Sequence, residues 1–283
     1  MSAFTDRTLV VSGGSRGIGL AIALGAAKRG ANVVLLAKTA EPHPKLPGTV
    51  YTAVADVEAA GGKGVAVVGD VRKDEDVQRA VDAAVEHFGG VDIVINNASA
   101  IATDPTEELS AKKFDLMMDI NVRGTFLLTN ALPHLRESAE RTRRTQRSST
   151  HVVTLAPPLN MNPHWLGAHP TYTLSKHGMT LLSLGWAAEY TAEAGIGFAC
   201  LWPETYIATA AVANSPDFQT MLAASRSPEI MADAVVEILS RPPEVVNGKC
   251  FIDSAVLAEA GLTDLSRYGG GDNPILDIFV DKP

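Results

Sequence analysis

Three glycines, Gly13, Gly17 and Gly19, sit in the run Ser12-Gly13-Gly14-Ser15-Arg16-Gly17-Ile18-Gly19, directly after the apolar triplet Leu9-Val10-Val11. The first suits a tight turn, the second lets backbone approach a pyrophosphate, and the third lets a following helix pack against the strand. The N–H groups that open this helix then face phosphate, with Ser15, Arg16 and Ile18 completing the turn. Chemistry of this kind holds a dinucleotide.

Which dinucleotide is decided at the end of the second apolar run, residues 32–36. NAD binders place a carboxylate there to take the ribose 2′-hydroxyl. This chain has Ala37 followed by Lys38, and Arg16 lies in the glycine turn. Two cations with no opposing carboxylate suit a 2′-phosphate, so NADP(H) is favoured over NAD(H). The alternative is that either residue is an ordinary surface charge.

A second constellation is Tyr172-Thr-Leu-Ser-Lys176. Tyrosine and lysine at this spacing share one face of a helix. A phenol with its ordinary pKa of ~10 is a poor acid–base at neutral pH. A neighbouring ammonium, together with the positive charge of an oxidised nicotinamide, stabilises the phenolate and lowers that value. The pair can then give a proton to a nascent alkoxide.

The elements that must position these groups follow from apolar periodicity. Strand-length apolar runs at 9–11, 32–36, 65–68, 91–95, 151–155, 196–201 and 250–252 alternate with helical patterns at 17–28, 50–60, 74–88, 111–135, 173–193, 209–224 and 228–239. Alternation implies parallel strands with helical crossovers, and wholly apolar strands imply a sheet covered on both faces. The expected fold is α/β: a Rossmann-type, doubly wound, seven-stranded parallel sheet with helices on both faces. No domain boundary shows, so residues 1–283 read as one domain, with a tail over about 269–283 that is expected to pack on a neighbouring subunit. Asp74 is expected to cap its helix. The Arg-rich stretch 136–147 reads as a solvated loop.

Bulk properties narrow the partners. The 283 residues carry 24 basic and 32 acidic side chains, a net charge of −8, and are 46% hydrophobic. That is enough apolar material for a buried sheet, and the acidic balance argues against a nucleic-acid partner. Cys200 and Cys250 lie in apolar runs and read as core residues in a reducing, cytoplasmic setting. No apolar stretch is long enough to span a bilayer, the N-terminus lacks a signal-peptide pattern, and Asp281-Lys282-Pro283 is no peroxisomal tripeptide. His164 and His169 belong to no ligand pattern, so no metal is expected.

Over essentially its whole length the chain resembles the short-chain dehydrogenase/reductase family. The residues that carry the resemblance are Gly13-x3-Gly17-x-Gly19, Asp70-Val71, Asn96-Asn97-Ala98, Asn121-x2-Gly124, Tyr172-x3-Lys176 and Pro203 after the sixth strand. Segments 37–45, 96–101 and 157–163 resemble the hydroxysteroid dehydrogenase-like subgroup, whose best-known members also carry a sterol-carrier domain; this chain ends before any such domain. The resemblance implies that Asp70 and Val71 hold the adenine, that Asn97 and Ala98 support the ribose side of the cofactor, and that Pro203 lies beside it. It implies Tyr172 as general acid–base, Lys176 on the nicotinamide ribose, and Asn121 positioning a water that links Lys176 to solvent. The implied activity is hydride transfer between NADP(H) and a carbonyl or alcohol substrate. The implied assembly is a homo-oligomer, tetramer or dimer, packed through the helices at 111–135 and 173–193, with Met179, Leu182, Trp186 and Tyr190 as surplus apolar surface.

One departure matters. The family places a serine at the end of the fifth strand, where its hydroxyl polarises the substrate carbonyl. Aligning His151-Val-Val-Thr-Leu-Ala156 with that strand puts Pro157 in its place. Proline has no donor, and losing one oxyanion donor costs on the order of 10²–10³ in rate. Asn160 is the first candidate for a replacement, followed by Asn162 and Thr154; the alternative is that these asparagines only make turns beside Pro163. Loops bearing His164, Trp165, Leu166, Trp202 and Tyr206 are expected around a largely apolar substrate pocket, unless the tryptophans simply fill core. Two other readings remain open: an NADP(H)-binding protein with little or no catalysis, and a lipid- or acyl-binding module.

Overall fold

The computed structural model of the chain describes residues 3–43, 46–145, 150–190, 195–210 and 218–281. Runs of β-branched and aliphatic residues form strands β1 (Thr8–Ser12), β2 (Asn32–Ala37), β3 (Lys63–Val68), β4 (Ile93–Asn96), β5 (Thr150–Thr154), β6 (Ile196–Trp202) and β7 (Lys249–Ile252). They make one sheet in the order β3-β2-β1-β4-β5-β6-β7, parallel at every pairing.

Side chains alternate between the faces of each strand. Leu9 and Val11 of β1 join one buried cluster, with Ile22 of α1 (Gly17–Ala27), Val57 of α2 (Val50–Ala59) and Val235 further along the chain. Val10 between them joins the other cluster, with Val77 of α3 (Asp74–Phe88) and Phe198 of β6. The strands are apolar throughout because each face meets helices. The order reverses between β1 and β4, and in sheets of this kind the ligand crevice opens there, beyond the carboxyl ends of the strands. At the opposite end Asp92 ties the two strands together: it accepts from the Thr8 N–H at 2.8 Å and from the Ser138 hydroxyl, and pairs with Arg141 at 3.3 Å.

Between β4 and β5 the chain departs from expectation. One long helix over 111–135 is replaced by α4 (Ala111–Met117), a π-helical turn (Met118–Arg123), α5 (Gly124–Thr129) and, after a break, α6 (Leu132–Thr145). The Arg-rich stretch is therefore helical through Thr145, and residues 146–149 lie outside the described residues. Two of its arginines are engaged: Arg136 lies over the Tyr190 ring at 4.9 Å, and Arg141 reaches Asp92. Asp74 is not a cap. Lys73 holds that position, while Asp74, Glu75 and Asp76 fill the first turn, where acidic groups complement the helix dipole.

After β5 come α7 (Pro163–Ala168) and α8 (Pro170–Glu189), which starts earlier than expected because Pro170 fits the first helical turn. Its expected end falls at 191–194, outside the described residues. Beyond β6 lie α9 (Phe218–Ala223), α10 (Glu229–Ser240), α11 (Pro243–Val246) and α12 (Asp253–Glu259), with 211–217 outside the described residues. No described helix is long and apolar enough to cross a membrane.

Candidate active site

The glycine turn joins β1 to α1. Gly13 has φ +70° and Gly17 φ +56°, conformations open to glycine and strained for other residues. A Cβ on Gly19 would stand 2.6 Å from the Gly13 carbonyl oxygen and 2.5 Å from Asn97 Nδ2, so the helix starts against the strand end only because glycine is there. Asn97 Nδ2 donates to the carbonyls of Ser12 (2.9 Å) and Gly13 (3.2 Å), and the Ser12 hydroxyl accepts from the Asn97 and Ala98 N–H groups. The end of β4 thus clamps the turn. No side chain caps the N-terminus of α1, and no acidic residue lies in its first turn. A crevice of about 300 Å³ opens there, lined by Gly13, Ser15, Arg16, Gly17, Ile18 and Ala98 among others. A pyrophosphate fits this cradle: a free helix N-terminus, a backbone with no Cβ in the way, and an arginine at the rim.

Beside it, Asp70 at the end of β3 is nearly buried and holds two cations. Arg72 binds it with Nε and a terminal nitrogen (2.9 and 2.6 Å), and Lys38 stands 3.2 Å away. The Arg72 pair holds the Asp70 carboxyl well below the usual carboxylate range, with Lys38 adding to it. Two cations and one carboxylate leave one net positive charge at the end of β2. Arg16 turns its guanidinium onto the carbonyls of Pro47 and Gly48, both at 3.1 Å, and so holds the loop after β2 near the crevice. Val71 is buried under Gly124, whose Cβ would meet it at 2.9 Å.

Tyr172 and Lys176 lie in the first two turns of α8, both buried. Lys176 Nζ donates to the Leu155 carbonyl just past β5 (2.7 Å), stands 3.5 Å from Ser99 Oγ and lies over the Trp202 ring at 5.0 Å. Burial pulls its pKa down to about 7, against the opposing pull of Asp277. Burial pushes the Tyr172 phenol above its ordinary value, and Asp277 and Tyr206 add to that. The expected acidification of Tyr172 by Lys176 is not present in this state. Desolvation is the largest influence on the phenol, and the two charges named beside it push the same way. Asn121, fully buried in the π turn, accepts from the Ala100 N–H (2.7 Å) and donates to the Ala100 carbonyl and Ser175 Oγ, both at 2.9 Å. Its side chain joins the loop after β4 to α8.

The crevice runs into a cavity of about 380 Å³ through the shared residues Ile18, Asn97, Ser99 and Thr209. Tyr172, Lys176, Leu155, Trp202, Pro203 and Tyr206 line it, as do His169 and Asp277. His164, Trp165 and Leu166 do not; Trp165 supports the C-terminal tail instead. The tail packs on its own chain. Trp202 Nε1 donates to the Ile278 carbonyl (2.8 Å), Trp165 Nε1 to Asp281 (2.8 Å), and Phe279 is buried against Tyr172 with ring centres 6.2 Å apart and planes at 20°. Asn160 is part of this fastening. Its Nδ2 donates to the Phe279 carbonyl (3.1 Å) and to Asp281 (2.8 Å), so it is not a donor to substrate. Asn162, whose Oδ1 caps α7 by accepting from the His164 N–H, and Thr154, buried where it accepts from Asn96 and Ser183, do not line the cavity. Among the described residues no group of three or more His, Cys, Asp or Glu could hold a metal ion.

Residues 7–219 match the short chain dehydrogenase family. The chain belongs to that family. It is 46% identical over 282 residues to hydroxysteroid dehydrogenase-like protein 2 of Xenopus tropicalis, an alignment covering 97% of this chain and 64% of the relative, so it spans less than two thirds of that protein's length. It is also similar to a short chain dehydrogenase of Mycobacterium thermoresistibile (TM-score 0.89, 46% identity, covering 99% and 96% of the two chains). A third likeness is to the NADH-dependent reductase A1-R′ responsible for alginate metabolism (TM-score 0.71, 26% identity, covering 89% and 97%).

The family's printed name, short chain dehydrogenase, and that of the A1-R′ neighbour, an NADH-dependent reductase, are those of oxidoreductases. Two of this chain's cavity groups escaped the sequence reading. Ser99 escaped because its run was used for the cofactor. Asp277 is hard to see in the sequence because an apolar tail suits a subunit contact equally well, although one acid inside the apolar run 275–280 is a usable signal. Of the surplus apolar surface expected on α8, Met179 and Trp186 are buried in the chain's own core, Leu182 is partly buried against it, and Tyr190 packs on Phe198.

The cradle is testable at Gly19. In a Gly19→Ala protein the new Cβ collides with the Gly13 carbonyl, an overpacking of about 1–3 kcal/mol directed into the turn. Dinucleotide affinity, read by fluorescence titration, is expected to fall by about 10-fold or more with the circular dichroism spectrum unchanged. Unaltered affinity would contradict the cradle.

Proposed function

We propose that this chain is an NADP(H)-dependent oxidoreductase that moves a hydride between the nicotinamide and an apolar carbonyl or alcohol substrate, with Tyr172 as general acid–base. The observation that carries the reading is one cavity, continuous with a glycine cradle fit for a pyrophosphate, that brings the buried side chains of Tyr172 and Lys176 together. When bound, the nicotinamide supplies or accepts the hydride. Tyr172 gives its hydroxyl proton to the substrate oxygen in reduction and takes it back in oxidation. Lys176, held by the Leu155 carbonyl, binds the ribose hydroxyls and adds positive charge beside the phenol in its protonated form. Gly13, Ser15, Arg16, Gly17, Ile18 and Gly19 hold the pyrophosphate. Asp70 and Val71 flank the adenine, Asn97 and Ala98 the ribose, and Pro203 the nicotinamide. Asn121 acts as a brace between the loop after β4 and α8.

Lys38 and Arg16 support the preference for NADP(H), since a 2′-phosphate finds a net positive charge at the end of β2. The largely aliphatic and aromatic lining supports an apolar substrate. The relative's printed name, hydroxysteroid dehydrogenase-like, is in keeping with such a substrate. The alternative of cofactor binding without catalysis is not favoured while Tyr172 and Lys176 line the same cavity. A second copy of the chain is the expected partner: Leu174 and Leu181 on one face of α8 are 52% and 58% exposed, and Phe126 of α5 is 47% exposed. With both cysteines free, a reducing, cytoplasmic setting suits the chain.

Two experiments test the reading. Against a panel of ketones and aldehydes with NADPH, Tyr172→Phe is expected to lose on the order of 10²–10⁴ in kcat while its NADPH affinity stays that of the wild type; full turnover by this variant would remove the tyrosine from its role. Lys38→Ala is expected to weaken NADPH binding about 10-fold and leave NADH binding as it was, reading the 2′-phosphate contact alone. Equal effects on both nucleotides would overturn the assignment.

A further inference from the structure

The job left open by Pro157 is that of a second hydrogen-bond donor to the substrate oxygen. Pro157 itself is buried, and its carbonyl accepts from Thr180 Oγ1 at 2.7 Å. The residue at the end of β5 that lines the cavity is Leu155, whose carbonyl is taken by Lys176. Neither offers a donor. Lining the same cavity is a residue from the far end of the chain, Asp277.

Asp277 is placed there by a well-fastened segment. Its N–H donates to the Glu204 carbonyl (2.9 Å), the Ile275 carbonyl accepts from the Tyr206 N–H (2.9 Å), and the Ile278 carbonyl accepts from Trp202 (2.8 Å). Glu204 is itself fixed by Arg226 (2.9 Å) and by its N–H bond to Asp253 (2.8 Å). Two residues on, Phe279 has φ +75°, a left-handed conformation rare for a bulky side chain. It is held there by contacts with Tyr172, His177, Trp165 and Trp202. Strain of this kind persists only where packing over-determines it, and it collects at functional sites. Among the described residues the one hydrogen bond to the Asp277 carboxyl is from the Ile278 N–H to Oδ1 (2.6 Å), which leaves Oδ2 without a protein partner.

We propose that the Asp277 carboxyl, carried into the cavity by the C-terminal tail, is the second hydrogen-bond donor to the substrate carbonyl oxygen. The role rests on the reductase reading given above. Burial, with Asp253 adding to it and Lys176 opposing, raises the Asp277 pKa to about 8, so at neutral pH the group is mostly the acid and has a proton to offer. A neutral carboxylic acid in an apolar site serves as an oxyanion donor in known chemistry. The ionised form would do harm, because a carboxylate beside Tyr172 opposes formation of the phenolate. Asp277 keeps its proton throughout; the proton added to the substrate oxygen is that of Tyr172. The other hydroxyl close to Lys176, Ser99 Oγ, donates weakly to the Ala100 carbonyl at 3.4 Å and is the competing donor.

The test compares Asp277→Ala, Asp277→Asn and Ser99→Ala in the full chain, with melting temperature and NADPH affinity measured for each. Asp277→Ala is expected to lose on the order of 100-fold in kcat with both of those measurements preserved. Asp277→Asn, which keeps a donor in the same place, is expected to recover to within about 10-fold of the wild type. If Asp277→Ala turns over like the wild type, or Ser99→Ala takes the loss instead, the donor is not Asp277. If the asparagine variant is as slow as the alanine one while binding NADPH normally, the carboxyl does not act by donating. A wild-type protein that binds NADPH and reduces no carbonyl sinks the reductase reading, and this donor with it; turnover in the wild type with an indifferent Asp277→Ala sinks the donor alone.

Discussion

The hydrogen bond from Lys176 to the Leu155 carbonyl sets the character of this molecule. It anchors the first turns of α8 to the end of β5, and with them Tyr172. The amine is buried among Trp202, Met179 and the aliphatic wall, where a charge is poorly solvated, so its proton is loosely held. The phenol one turn earlier is buried as well, and burial moves it the opposite way on the pH scale. Both groups are pushed toward their neutral forms. A resting site of this kind is quiet. The positive charge of an oxidised nicotinamide, brought in along the glycine crevice, is the missing influence that would favour phenolate.

The surrounding structure serves to keep those two groups in place. Asn121 sits in a π-helical turn, a rare local geometry that recurs at functional sites, and bonds at once to the loop after β4 and to Ser175 on α8. Asn97 closes the loop on the other side against the glycine turn. The tail supplies the last wall. It is fastened by side chains from three directions, Asn160 before α7, Trp165 within it and Trp202 at the end of β6, so the C-terminal end of the chain is a structural part of the cavity.

Much of this was legible from residue order because it depends on local rules. Strand and helix periods differ, and the strands of a doubly covered sheet are apolar along their whole length, so all seven were found within a few residues. The glycine cradle was legible because only glycine tolerates the positive φ at Gly13 and the contact at Gly19. What escaped depends on which surface meets which. Apolar spacing on α8 marks Met179 and Trp186 as buried but says nothing of whether the sheet or another subunit covers them. The π turn leaves the helical pattern of 111–135 nearly intact and so is invisible to it. The arginines of α6 looked like a solvated loop because composition does not reveal that Arg141 reaches a buried Asp92. Asn160 was a reasonable donor by type and position, and only the path of the tail shows that its amide is spent on Phe279 and Asp281. For Tyr172 the spacing to Lys176 reveals a neighbouring charge but not the burial of the phenol, which is the largest influence on it.

The central claim is that Tyr172 is held neutral by burial and made acidic by the charge of the bound nucleotide. It is read most directly by ultraviolet difference titration of tyrosinate, wild type minus Tyr172→Phe, without nucleotide and then with saturating NADP⁺. The account predicts that the difference signal is absent through the pH range where an exposed tyrosine ionises, ~10, and appears at distinctly lower pH once NADP⁺ is bound. Ionisation of Tyr172 at an ordinary pH in the nucleotide-free protein, or a titration that NADP⁺ leaves unmoved, would contradict it.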